Sequence, residues 1–267
     1  MDADAGLPGA SAEQAGGSKG RIAFKVMAVV FAAASWGALF GVALVLAWID
    51  TDDGGIHRVH DMGFGALFGI ILTVGFLAQL WRAEQRISAF YQIPAVALAV
   101  AIAGALATRS FGLLGVFIAI TWAVLLVLHP DRPEVLRPAK ERMSVPLGTL
   151  AVVGAVPWLW FASTMARFER NGLAFDPHVE QDHWTTMAAM AIGIVLVALL
   201  SALKLRGWRI TAWSAGAATI MYGLITAVYP HRPGAEGIGW AIAAIAGGLA
   251  FIGVAEWEAR REVRSRR

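Results

Sequence analysis

The run MGFGALFGIILTVGFLAQLW, residues 62–81, decides the fold class: it holds no charged residue and a single amide, Gln79. A helix needs roughly 20 mostly apolar residues to cross a bilayer, because only internal backbone hydrogen bonds survive in hydrocarbon. Seven further stretches read the same way, at 24–48, 93–107, 111–128, 145–165, 184–203, 210–229 and 238–257. The composition agrees. The 267-residue chain is 58% hydrophobic and 15% charged, where a soluble domain carries about a quarter charged residues. The expected fold class is therefore an all-α integral membrane protein with eight transmembrane helices.

The charges between the stretches set an expected orientation. Lys19, Arg21, Lys25, Arg82, Arg86, Arg132, Arg137, Lys140, Arg142, Lys204, Arg206, Arg209 and the arginine-rich C-terminus fall on one side. Arg58, Arg109, Arg167, Arg170 and Arg232 fall on the other. The positive-inside rule then places both termini in the cytoplasm, which an even number of spans satisfies. Arginine in excess of lysine, with abundant alanine and glycine, suggests a GC-rich bacterial genome and hence a bacterial plasma (inner) membrane. A sequence pI near 9.6 does not point to nucleic acid, because the basic residues sit at helix ends and form no basic face with interleaved aromatics. The absence of cysteine excludes disulfides, thiolate metal sites and cysteine nucleophiles.

Residues 1–22, rich in Ala, Gly, Ser and Asp at their start, read as a disordered cytoplasmic tail, and no cleavage pattern follows to suggest a signal peptide. His129-Pro130-Asp131-Arg132-Pro133 ends the fourth stretch, since proline cannot continue a helix. The division that results is a first four-helix unit at 23–129, a cytoplasmic loop at 130–144, a second unit at 145–257 and a basic tail at 258–267. Four helices per unit give both units the same orientation, as in a parallel repeat about an axis along the membrane normal. Two pairs separated by 123 residues carry that expectation. His60 matches His183, and Arg86-Ile87-Ser88-Ala89-Phe90 matches Arg209-Ile210-Thr211-Ala212-Trp213.

Chemistry concentrates in two outer loops. The first, 50–61, contains His57, His60 and Asp61; the second, 176–184, contains His178, Asp182 and His183. In a helical turn His57 shares a face with His60 or Asp61, and His178 with Asp182. Imidazole and carboxylate suit a divalent metal such as Zn, Fe, Mn or Cu. The plainer expectation is that Asp61 and Asp182 start their helices by capping free N–H groups. Haem held by His60 and His183 is the weaker cofactor alternative, because neither histidine lies inside a helix. The carboxylates break the repeat: Asp61 aligns with Trp184, and Asp182 with Val59.

The polar residues inside the stretches are mild: Gln79, Thr73, Thr121, Ser163, Thr164, Ser201, Thr219 and Tyr222. They are expected to bond their own backbone or a neighbouring helix. No ionisable side chain lies near mid-membrane, which argues against proton coupling and against a retinal lysine. Gly37 with Gly41, Gly65 with Gly69, and Gly239 with Ala243 allow close helix packing or a homodimer face. Trp48, Trp81, Trp184, Trp208 and Trp257 read as an interfacial belt, and Trp158 and Trp160 as the wall of an outer vestibule.

With His57-Arg58-Val59-His60-Asp61, the Gln79 helix, His129-Pro130 and His183-Trp184-Thr185-Thr186-Met187-Ala188, the chain resembles uncharacterised multi-pass membrane proteins of actinobacteria. The resemblance covers most of the chain after the tail, and it implies topology and origin but no reaction. Three functions remain open at this point. One is a binding or accessory membrane protein, whose partners are the bilayer and either a second copy or a membrane complex, with an outer cluster holding a metal ion or polar ligand. Another is a metal-dependent hydrolase using Asp61 or Asp182 as general base. The last is an uncoupled facilitator of a small solute.

Overall fold

The computed structural model describes residues 9–49, 57–107, 112–138, 143–172 and 182–265, and among them every regular element is helical. In chain order these are α1 (Gly9–Trp36), α2 (Ala43–Ile49), α3 (Arg58–Leu80), α4 (Ile87–Ala107), α5 (Gly112–Leu128), α6 (Arg132–Leu136), α7 (Val145–Asn171), α8 (His183–Ala202), α9 (Trp208–Val228) and α10 (Gly237–Ser265). Six of them, α3, α4, α7, α8, α9 and α10, are long and apolar enough to cross a membrane. The outer helices turn apolar side chains outward: Val152, Val153 and Val156 on α7, Ile242 and Leu249 on α10, Val116 and Ile120 on α5. An aqueous surface does not accommodate such continuous apolar faces, whereas hydrocarbon does. The chain is a multi-pass membrane protein.

The centre consists of α3, α4, α8 and α9, each in contact with the other three. Around it, α1 and α2 pack on α3, α5 on α4, α7 on α8, and α10 on α9. Burial follows this order: 83% of the most apolar window of α8 is buried, against 22% for α10. The central helices are hydrophobic all round for this reason, because every face meets another helix.

Three boundaries differ from the sequence reading. The stretch at 24–48 is not one helix: it breaks between Trp36 and Ala43, with Phe40 at φ 58. Helix α1 begins at Gly9, inside the expected tail, and α10 continues through the expected basic tail to Ser265. The continuation has a physical cause. Glu256 meets Arg209, while Glu258 and Glu262 meet Lys204, so the last turns of α10 are tied to the α8–α9 turn.

The break in the first stretch packs on an irregular part of α3. Residues Gly65–Leu72 are wound as a π-helix. Besides the Thr73 N–H, the Phe68 carbonyl oxygen accepts from Ser35 Oγ at 2.8 Å and Thr73 Oγ1 at 2.7 Å. Gly41 and Gly69 touch backbone to backbone here, and Gly65 lies against Leu44 in the same way. The Gly37/Gly41 and Gly65/Gly69 spacings thus mark one close approach within the chain. Gly239 has open space around its Cα.

The mild polar residues mostly bond their own helices, as expected: Gln79 to Gly75 O, Thr121 to Ile118 O, Ser201 to Ala198 O and Thr219 to Ala215 O. The tryptophan reading needs correction at two positions. Trp81 and Trp257 are exposed, but Trp184 and Trp208 are buried, each inside a helix contact. Trp158 packs among Phe161, Tyr222 and Trp240, while Trp160 faces outward and lines no vestibule.

Candidate functional site

Helices α3 and α8 begin side by side, and their first turns bring three histidines together. His57 occupies the N-cap position of α3, and His60 lies one turn on, 1% exposed. His183 opens α8. Its ring centroid is 6.1 Å from that of His57 and 6.1 Å from that of His60. Trp184 packs edge-on against His60 at 4.2 Å, with Phe168 of α7 behind it at 5.4 Å. His60 and His183, 123 residues apart, therefore pack ring against ring.

A turn from the far end of the chain closes this group. Gly234 has φ +80, and a Cβ there would stand 3.2 Å from His60 Cδ2 and 3.2 Å from Met187 Cε. Only glycine allows both the left-handed backbone and the contact. The turn is fixed from below by Tyr222, fully buried on α9, whose hydroxyl donates to the Gly234 carbonyl at 2.6 Å. Arg58 ties the rim together, donating to Trp48 O at 3.1 Å and to Tyr229 Oη at 2.5 Å.

Among the described residues, four carboxylates stand in this region. Asp61 is 4% exposed in the first turns of α3. Glu169, 5% exposed near the end of α7, accepts the Thr185 N–H of α8 at 3.1 Å through Oε2. Asp182 lies close enough to Glu169 to repel it. Glu236, in the turn after Gly234, has its carboxyl pushed above the ordinary value by burial. Arg58 is partly buried, whereas Arg167, Arg170 and Arg232 are exposed.

The capping expectation is overturned in detail. Asp182 occupies the N-cap position of α8 with φ 55, but its side chain makes no cap bond. The left-handed backbone aims it elsewhere, and Glu169 from α7 receives the exposed N–H instead. Asp61 lies in the first turn of α3, where its charge meets the helix dipole, but the N-cap position is held by His57. Glu169 stands between Arg167 and Arg170 and is marked by no motif. Its signal was spacing: Ala162, Met165, Ala166 and Glu169 share one buried face of α7.

His57, His60, Asp61, Asp182 and His183 thus all stand at one end of the bundle, and His178 lies outside the described residues. Among the described residues no group of three or more His, Asp or Glu is arranged to hold one metal ion. The two rings of His60 and His183 meet at 63°, with Trp184 packed on His60 and Phe64 5.3 Å from His183.

The opposite end of the bundle joins the second pair separated by 123 residues. Thr211 Oγ1 donates to Ser88 Oγ at 2.9 Å, across 123 residues, and Ser88 N–H donates to Arg206 O at 2.9 Å. Gly207, at φ +81, lies against Gln85 O and Arg86, so a side chain there would strike backbone. No protein-family model, curated protein or solved structure matches the chain.

Proposed function

We propose that the protein crosses a bacterial plasma membrane eight times, with both termini cytoplasmic, as two four-helix units whose histidine end faces outward and binds a small cation. The observation that carries this reading is the meeting of His57, His60 and His183 over Trp184, beside the buried acids Asp61 and Glu169. Imidazole nitrogens supply neutral donors, carboxylates supply negative charge, and the indole face attracts a cation by its quadrupole. A divalent metal ion is one such cation. An organic ammonium suits the aromatic walls without needing three converging ligands. The topology is supported by the arginine bias and by the pairing of residues 123 apart at both ends of the bundle.

The test is calorimetric titration of the purified protein with Zn²⁺ and, separately, tetramethylammonium. Binding of either one at a single site, abolished in His183→Ala, is the expected result, because His183 touches both other histidines. If the wild-type protein binds neither cation, the reading fails. Retention of binding in His183→Ala would move the site elsewhere.

A further inference from the structure

At the arginine end, a cavity of about 900 Å³ opens between α3, α9 and the two turns that precede α4 and α9. Arg86, Arg206 and Arg209 line it, and Ile70, Val74 and Trp213 form its apolar wall. The three arginines are not equivalent. Arg206 meets Glu134 at 2.7 Å and Asp131 at 3.8 Å. Arg209 makes a two-pronged pair with Glu256, at 2.6 and 2.8 Å, and Trp213 Nε1 donates to the same carboxylate at 2.9 Å. The one carboxylate lining the cavity, Glu262, is held by Lys204. Arg86 has no carboxylate partner among the described residues, although it is partly buried and occupies the position 123 residues before Arg209.

We propose that this cavity binds an anionic phospholipid, with the phosphate on the Arg86 guanidinium and the acyl chains along Ile70, Val74 and Trp213. Arg209 faces this cavity with its charge already met by Glu256, whereas Arg86 faces it with no carboxylate partner among the described residues. The cavity is charged at its rim and apolar on its wall, at the end of the bundle where headgroups would lie. A guanidinium presents parallel N–H donors that match phosphate, and a half-buried one without a counter-ion gains from such a ligand. Basic pockets between transmembrane helices recognise anionic headgroups on this basis. The cavity is formed in advance, because the Ser88–Arg206 bond and the Gly207 contact lock its two turns together.

The experiment is native mass spectrometry of the full chain, delipidated and then titrated with phosphatidylglycerol or phosphatidylcholine. Phosphatidylglycerol should bind more tightly, and Arg86→Gln should weaken it on the order of tenfold, the loss expected for one charge-assisted contact. Arg86→Lys should retain part of the preference, and Arg232→Gln, at the other end, all of it. Thermal melts of each variant separate lost binding from lost folding. Equal affinity for the two lipids, or an Arg86→Gln protein that melts normally and binds as wild type, overturns the proposal. Competition by inorganic phosphate as effective as phosphatidylglycerol would assign the site to a free anion and overturn the lipid assignment.

Discussion

The first and last four helical stretches, linked in sequence by His60 with His183 and by residues 86–90 with 209–213, differ in regularity. Helix α7 is continuous over 27 residues, whereas its counterpart is split into α1 and α2. Helix α8 is α-helical throughout, whereas α3 contains the π-wound segment Gly65–Leu72. The difference is local. Gly41 and Gly69 permit backbone contact, while the residues 123 positions on are Thr164 and Ile192. The glycine contact lies where the first stretch breaks and where α3 is π-wound, and Ser35 and Thr73 hydroxyls bond the Phe68 carbonyl there. The four central helices close on one another despite this difference.

The largest expected effect breaks this contrast directly. Gly69→Ala drives a Cβ into the Gly41 carbonyl, and separation of the two backbones should cost about 2–3 kcal/mol. Gly154→Ala, in open space on α7, should instead gain up to about 1 kcal/mol from helix propensity. Thermal unfolding in detergent, followed by circular dichroism, gives both signs. Equal effects at the two glycines would remove the contact as the explanation.

The helix starts differ as well. Helix α8 is capped from α7 by Glu169, while His57 makes no side-chain cap bond for α3. Glu169→Ala should therefore lower stability by about 1 kcal/mol, the usual loss for a cap. The same unfolding assay checks it, and an unchanged midpoint would remove Glu169 from that role.

A smaller effect separates the ends of α5 and α10. Helix α5 stops at Leu128, and His129 is buried between Phe24 and Phe90, with Nδ1 accepting the Asp131 N–H at 3.0 Å. Burial lowers its pKa from 6.5, outweighing the nearby Asp131 and Glu84, which raise it. A histidine with a depressed folded pKa is neutral in both states above its unfolded value. As pH falls below about 6.5 the unfolded chain takes the proton first, and stability declines until the folded pKa is reached. The decline cannot exceed about 1.4 kcal/mol per pH unit for one proton. His129→Asn should flatten the melting temperature between pH 7.5 and pH 5.5, values chosen about one unit either side of the reference pKa. A slope unchanged in the variant would place the titration at another residue.

The smallest expected effect is the coupling between Ser88 and Thr211. A double-mutant cycle through Ser88→Ala and Thr211→Val should return about 0.6 kcal/mol, the usual scale for interhelical bonds in membranes. A coupling energy of zero would mean that the two residues are neighbours without a working bond.

The apolar stretches are helical apart from the break between Trp36 and Ala43, so hydropathy alone recovers most of the secondary structure. What it does not reveal lies partly outside the stretches, in the extension of α1 to Gly9 and of α10 to Ser265, and partly inside them. A π-wound segment such as Gly65–Leu72 is as apolar as an α-helix, and the break after Trp36 carries no proline. Trp184 and Trp208 read as interfacial residues because sequence position gives depth in the membrane but not the direction a side chain faces. The histidine end was legible from the offset between His60 and His183. Glu169 and Gly234 were not, because each reaches the site from a helix or turn distant in the chain.

The central claim is that residues 123 apart face one another across the contact between the two units. The chain contains no cysteine, so Ser88→Cys with Thr211→Cys places the only two thiols at the 2.9 Å hydroxyl contact. Mild oxidation in membranes should join them within one chain, seen as two halves held together after proteolysis in the 130–144 loop and released by a reductant. Failure to form that bond in a variant that melts as wild type, or cross-linking only between chains, would contradict the account.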